Sequence, residues 1–113
     1  MERYELALTD EARADIRAAV RYLAVELRQP DPAETLLNSF DAALASLEQF
    51  PARCGLVHDP ALAALGIRMA VVQRYLLFFL LDRSAHTVTV LRVLHGRRAW
   101  LSILSDAAPG WEL

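Results

Sequence analysis

The hydrophobic residues of this chain change period once, near Gly66, and that change limits the folds open to it. Before Gly66 the apolar positions recur at helical spacing. Ala12, Ile16, Val20, Leu23 and Leu27 form one stripe, and Leu36, Leu37, Phe40, Leu44 and Leu47 form a second. After it, β-branched and aromatic residues dominate in short runs over residues 67–72, 75–81 and 87–95, the pattern of consecutive strands separated by turns. Two joined helices with apolar stripes must bury them against another layer, and the strands supply it.

The boundaries follow from local chemistry. Residues 3–8 alternate, with Tyr4, Leu6 and Leu8 on one side, and predict a first strand. Thr9 or Asp10 caps the first helix, which ends by Pro30-Asp31-Pro32. Asp31 reads as the next N-cap, Pro32 as the first helical residue and Glu34 as the capping-box partner. The second helix stops before Pro51, and residues 52–66 form a loop. Gln73-Arg74 is a tight turn into a central strand, residues 75–81, apolar enough to be buried on both faces. Residues 82–86 turn again, and residues 97–104 form a short last helix. The expected fold is α+β, β-α-α-β-β-β-α, with a helical hairpin packed on a mainly antiparallel four-stranded sheet. The pattern does not place the first strand in that sheet. Residues 1–104 are expected to form one domain and residues 105–113 a loose tail.

A length of 113 residues suits one core, and 55% hydrophobic with 23% charged residues excludes disorder. No segment approaches the roughly 18 apolar residues that span a bilayer, and the N-terminus lacks the apolar run of a signal peptide, so a cytoplasmic address without membrane contact is expected. The single cysteine, Cys54, has no metal-ligand spacing around it, and neither metal nor cofactor is expected. The net charge of −2 hides a split: residues 1–65 carry six Arg against eleven acids, whereas residues 66–104 carry six Arg against Asp82 alone. A basic half predicts an anionic partner. All twelve basic residues are Arg.

Several strings, in this order and spacing, resemble the RelE/ParE toxin superfamily and its ParE branch in particular. They are Leu8-Thr9-Asp10-Glu11-Ala12, Pro32-Ala33, residues 43–51 (ALASLEQFP), Gly66-Ile67-Arg68, Tyr75-Leu76-Leu77-Phe78-Phe79 and residues 91–98 (LRVLHGRR). The resemblance implies the toxin of a type II toxin–antitoxin pair, held in a hetero-oligomer by an acidic cognate antitoxin that folds on binding. For the ParE branch it further implies inhibition of DNA gyrase, without catalysis and without sequence-specific nucleic-acid binding. Ala99-Trp100 departs from the branch, which usually places an acidic and an aliphatic residue there.

The residues that would carry such roles form three sets. Arg13, Arg17 and Arg21 recur every four residues as a basic stripe on the first helix. Arg68 and Arg92 lie in strands with apolar alternate neighbours, so they are expected on a sheet face free of helices. With the stripe they make the candidate antitoxin surface. His95, Arg97, Arg98 and Trp100 are the candidate target-binding set, with the two arginines expected at a helix start. Trp100 reads equally well as an anchor of that helix on the sheet, Arg68 and Arg92 equally well as solvated cations, and for the stripe on the first helix a solvated face is the default reading. A different chemistry, ribosome-dependent mRNA cleavage as in the RelE branch, needs a base, an acid and phosphate-binding cations. Arg68, Arg74 and Arg92 would be the cations, with His95 or Tyr75 moving the proton, although His95 at a strand end reads first as bonding a backbone carbonyl and Tyr75 as a core aromatic. Against it stand a pI near 5.9 and the absence of Lys. A third possibility is a non-toxic module that acts only in a repressor complex with its antitoxin.

Overall fold

A computed structural model describes residues 3–111. Strand β1, Glu5–Leu8, leads into helix α1, Asp10–Arg21, whose last turn widens into a π-helical turn, Tyr22–Glu26. Helix α2, Pro30–Leu47, returns antiparallel and completes the hairpin. A 3-10 turn, Pro51–Arg53, and a short helix α3, Pro60–Ala64, precede strands β2, Ile67–Val72, β3, Tyr75–Asp82, and β4, Thr87–His95. Helix α4, Trp100–Ala107, and a 3-10 turn, Ala108–Trp111, follow. The class is α+β, and the sheet order is β1-β4-β3-β2. The β2–β3 and β3–β4 pairs are antiparallel and β1 runs parallel to β4 at the edge, which places the strand that the pattern left open.

β1 covers only Thr87–Val90 of the nine-residue β4. Helix α1 satisfies the groups that β4 leaves open beyond it: Thr9 Oγ1 donates to the Leu91 carbonyl at 2.7 Å, and Asp15 Oδ2 accepts the Val93 N–H at 2.9 Å. Thr9 also caps α1 by accepting the Ala12 N–H at 3.0 Å. A strand edge that would otherwise expose or orphan its backbone is thereby closed by the helix that follows β1.

The central strand β3 is buried on both faces, as its composition predicts. Leu77 and Phe79 face the hairpin with Leu36, Phe40, Val88 and Val90. Phe78 faces the other way, with Val57, Leu62, Ile67, Leu91, Leu94 and Leu104. Each fully buried Phe contributes about 1.5–3 kcal/mol. A β-bulge between Phe78 and Phe79 leaves Leu91 as the extra residue, so Val90 and Val93, three positions apart, enter the same core.

Four expectations are corrected. The second sheet face is not free of helices: α3 and α4 pack on it through Leu62 and Leu104, with Val57 beside them. The loop expected over residues 52–66 contains α3, capped by Asp59, and Gly66 closes it at φ 85°, a conformation open to Gly but costly for most residues. Asp31 is not the N-cap of α2; Gln29 holds that position and Asp31 lies in the first turn, because both prolines are accommodated within the helix start. The last helix begins at Trp100 rather than Arg97, and helical turns continue to Trp111 through the segment expected as a tail. Residues 112 and 113 lie outside the described residues.

Candidate functional site

Arg13, Arg17 and Arg21 form an exposed stripe along α1, as their spacing predicts. Arg68 and Arg92 do not join it on a common free face. Period two puts Arg68 with Ala70 and Val72 on the hairpin side of β2, where its guanidinium donates to the Cys54 carbonyl at 2.6 Å. The bulge takes Arg92 out of the alternation of β4 and directs it to α1. Its Nε lies 2.7 Å from Asp15 Oδ2 and its Nη2 3.0 Å from Asp15 Oδ1, a bidentate pair with side chains only 19% and 12% exposed. The bond to Asp15 raises the Arg92 pKa, against an opposing effect of burial. Both residues therefore lie on the hairpin side but toward opposite edges of the sheet, each with an intramolecular partner. Alternation gives the side of Arg68 but neither partner, and a bulge such as the one before Arg92 has no periodic signature.

The end of the sheet at the β2–β3 turn brings together other residues of interest. His95 stands edge-on to Tyr75 at a ring-centroid distance of 5.3 Å, and Tyr75 stands edge-on to Phe40 at 5.5 Å. Burial raises the Tyr75 pKa, and the nearby Tyr22 phenol adds to it. Nδ1 of His95 accepts the Arg97 N–H at 3.1 Å, and the Arg98 N–H donates to the His95 carbonyl at 2.9 Å. The imidazole thus orders the turn that displays Arg97 and Arg98, both exposed. Gly96 makes the close approach on the other side: its N–H bonds the Arg74 carbonyl at 2.9 Å, and a Cβ there would meet that oxygen at 3.4 Å. Trp100 is half-buried against Phe78, with centroids 5.3 Å apart, so it anchors α4 to the sheet.

Two hollows flank this framework. One, of about 810 Å³, lies on the second face between α3 and the β3–β4 turn, with exposed Leu56 and Leu65 on its rim beside Arg68 and Arg83. The other, of about 740 Å³, lies between the hairpin bend and the end of the sheet; Tyr22, Asp31, Arg74, Tyr75 and His95 line it. Sequence reasoning did not single out Tyr22 and treated Asp31 as a cap. Tyr22 carries a signal in retrospect, being an aromatic off the apolar stripe of α1. Among the described residues, no group of three or more His, Cys, Asp or Glu is placed to hold a metal ion, and no helix is long and apolar enough to cross a membrane.

A helical hairpin on a sheet of this order, with its cations on α1 and in the turn after β4, is the RelE/ParE toxin architecture. The chain overlays the chromosomal ParDE toxin–antitoxin system of P. aeruginosa with a TM-score of 0.66 at 19% identity, covering 84% of this chain and 98% of that one. It overlays the RelBE2 toxin–antitoxin complex of Mycobacterium tuberculosis at 0.60 and 22% identity, covering 82% and 98%. A variant of the E. coli toxin RelE in the free state gives 0.63 at 15% identity, covering 97% and 99%. No curated protein matches the sequence significantly. Residues 6–100 match the ParE toxin of the parDE type II toxin–antitoxin system, and the chain belongs to that family.

Proposed function

We propose that this toxin of the RelE/ParE superfamily acts by binding DNA gyrase, without catalysis, and is neutralised by an acidic antitoxin that folds over the Arg13–Arg17–Arg21 stripe and the apolar hollow beside α3. The observation that carries the non-catalytic reading is that two of the three candidate cations, Arg68 and Arg92, stand apart from His95 and Tyr75 and are held by other partners. Arg68 is committed to Cys54, Arg92 to Asp15, and the Nδ1 lone pair of His95 to the Arg97 N–H. A proton-transfer site with phosphate-binding cations requires those groups to converge. The target surface in this reading is the turn with Arg97 and Arg98, exposed forks suited to a carboxylate-rich protein surface, held in place by His95 and by the Trp100 anchor.

Ribosome-dependent mRNA cleavage is the second reading, and one observation favours it: Tyr75 and His95 stand ring to ring at 5.3 Å beside Arg74. Expression without antitoxin, followed by separate assays of gyrase supercoiling and mRNA integrity, discriminates. The expected result is growth arrest with supercoiling inhibited and mRNA intact. Cleaved mRNA that becomes intact on replacing Tyr75 or His95 would establish the nuclease instead. Absence of growth arrest would leave the repressor-complex role.

A further inference from the structure

Three uncommon backbone features border the 740 Å³ groove. The π-helical turn Tyr22–Glu26 forms its rim, Arg28 at φ 52° lies between lining residues Leu27 and Gln29, and Gln73 at φ 54° lines the opposite wall. π turns and left-handed non-Gly residues are disfavoured locally and concentrate at binding sites. Tyr22 and Leu27 remain 54% and 45% exposed, so the rim keeps aromatic and apolar surface open. The groove size falls within the roughly 300–1,000 Å³ usual for small-ligand sites.

The two walls differ in chemistry. The hairpin wall offers the exposed ring of Tyr22, the Gln29 amide and the Asp31 carboxylate; the sheet wall offers Arg74, Tyr75 and His95. Asp31 and Arg74 face the same groove from opposite walls, and the ion pairs found among the described residues, Arg3–Glu48 and Asp15–Arg92, involve neither. An acidic and a basic group held apart across an aromatic-lined space suit a flat ligand with a donor edge at one end and an anion at the other.

We infer that this groove binds a guanine nucleotide, with the base against the tyrosine rings, its N1–H and N2–H groups on Asp31 and its phosphate on Arg74. Aromatic faces accept any base. An ionised carboxylate only accepts hydrogen bonds, so it selects the base that presents two adjacent donors, which is guanine. The guanidinium fork matches a phosphate in the same way. The Tyr75 hydroxyl adds a hydrogen-bond donor on the sheet wall. Nothing in this inference depends on gyrase being the target.

The test is titration of the purified full chain with GMP, AMP, UMP and inorganic phosphate, followed by amide chemical shifts and calorimetry. GMP is expected to saturate, with shifts confined to residues around 22–35, 73–75 and 95. AMP and UMP should bind about tenfold more weakly, a difference of about 1.4 kcal/mol. Arg74→Ala and Asp31→Asn, both at exposed positions where folding is not at risk, should each weaken GMP by about tenfold, and Asp31→Asn should also abolish the preference over AMP. A 5′-phosphorylated single-stranded RNA beginning with G identifies the source of the nucleotide: tighter binding than GMP marks a strand end, equal or weaker binding a free nucleotide. Failure to saturate at about 10 mM GMP overturns the site. So do shifts on another face, equal affinity for GMP and AMP, or affinity unchanged in both variants.

Discussion

Asp15 shows how much one side chain decides. It neutralises Arg92 through two hydrogen bonds and also accepts the Val93 N–H, so its removal orphans a half-buried cation and a strand amide together. Asp15→Ala is expected to lower the unfolding free energy by about 3 kcal/mol in urea titration, whereas Arg92→Met, which keeps the volume and leaves Asp15 its amide, costs about half that. A loss below about 0.5 kcal/mol for Asp15→Ala would mean that the pair is not formed in solution. Tyr75 makes a second prediction, of pH dependence. Its pKa in the folded chain is raised above 10.0, so the folded state holds the proton where the unfolded chain has released it. The contribution is complete below pH 10 and lost as pH rises through the folded pKa. Stability should fall less steeply above pH 10 in Tyr75→Phe than in the parent, with Tyr22→Phe as the second comparison because its phenol couples to Tyr75. Parallel curves would place the hydroxyl in solvent. Neither residue's role was legible in the sequence: Asp15 reads as a solvated helix residue, and Tyr75 as a core aromatic, which describes its ring and not its position in a groove.

At the scale of elements, the junction between β1 and α1 and the turn between β4 and α4 each combine two tasks. Thr9 caps α1 and closes the edge of β4, so Thr9→Ala removes both hydrogen bonds. The expected cost is about 1–2 kcal/mol, read as a lowered urea midpoint, with Thr9→Ser retaining most of the stability. In the second junction the arginines and the tryptophan separate. Arg97 and Arg98 are exposed in the turn, whereas Trp100 packs on Phe78. Replacing both arginines with Ala should abolish growth arrest and supercoiling inhibition with an unchanged melting profile, while Trp100→Ala should lower stability by about 3 kcal/mol. Full toxicity in the double arginine variant would move the target surface elsewhere. The capping role of Thr9 was one of two sequence alternatives; its second bond was not visible, because it joins residues 82 positions apart.

For the whole molecule, the arginines left exposed predict how a partner is held. With the arginine stripe exposed on α1, charge reversal at Arg13 and Arg17 should weaken the antitoxin complex and flatten its dependence on salt, measured by calorimetry across ionic strengths. Unchanged affinity and slope would reduce the stripe to a solvated face. The sequence by itself determined the helical hairpin, the three consecutive strands, the double burial of β3 and the family, because periodicity, caps and turn residues act over a few positions and are written locally. The tertiary structure alone decided the seat of β1 beside β4, the cover on the second sheet face, the pairing of Arg92 with Asp15 and the groove at the hairpin bend. Each of these depends on contacts between residues far apart in the chain or on a bulge that resets the alternation of β4.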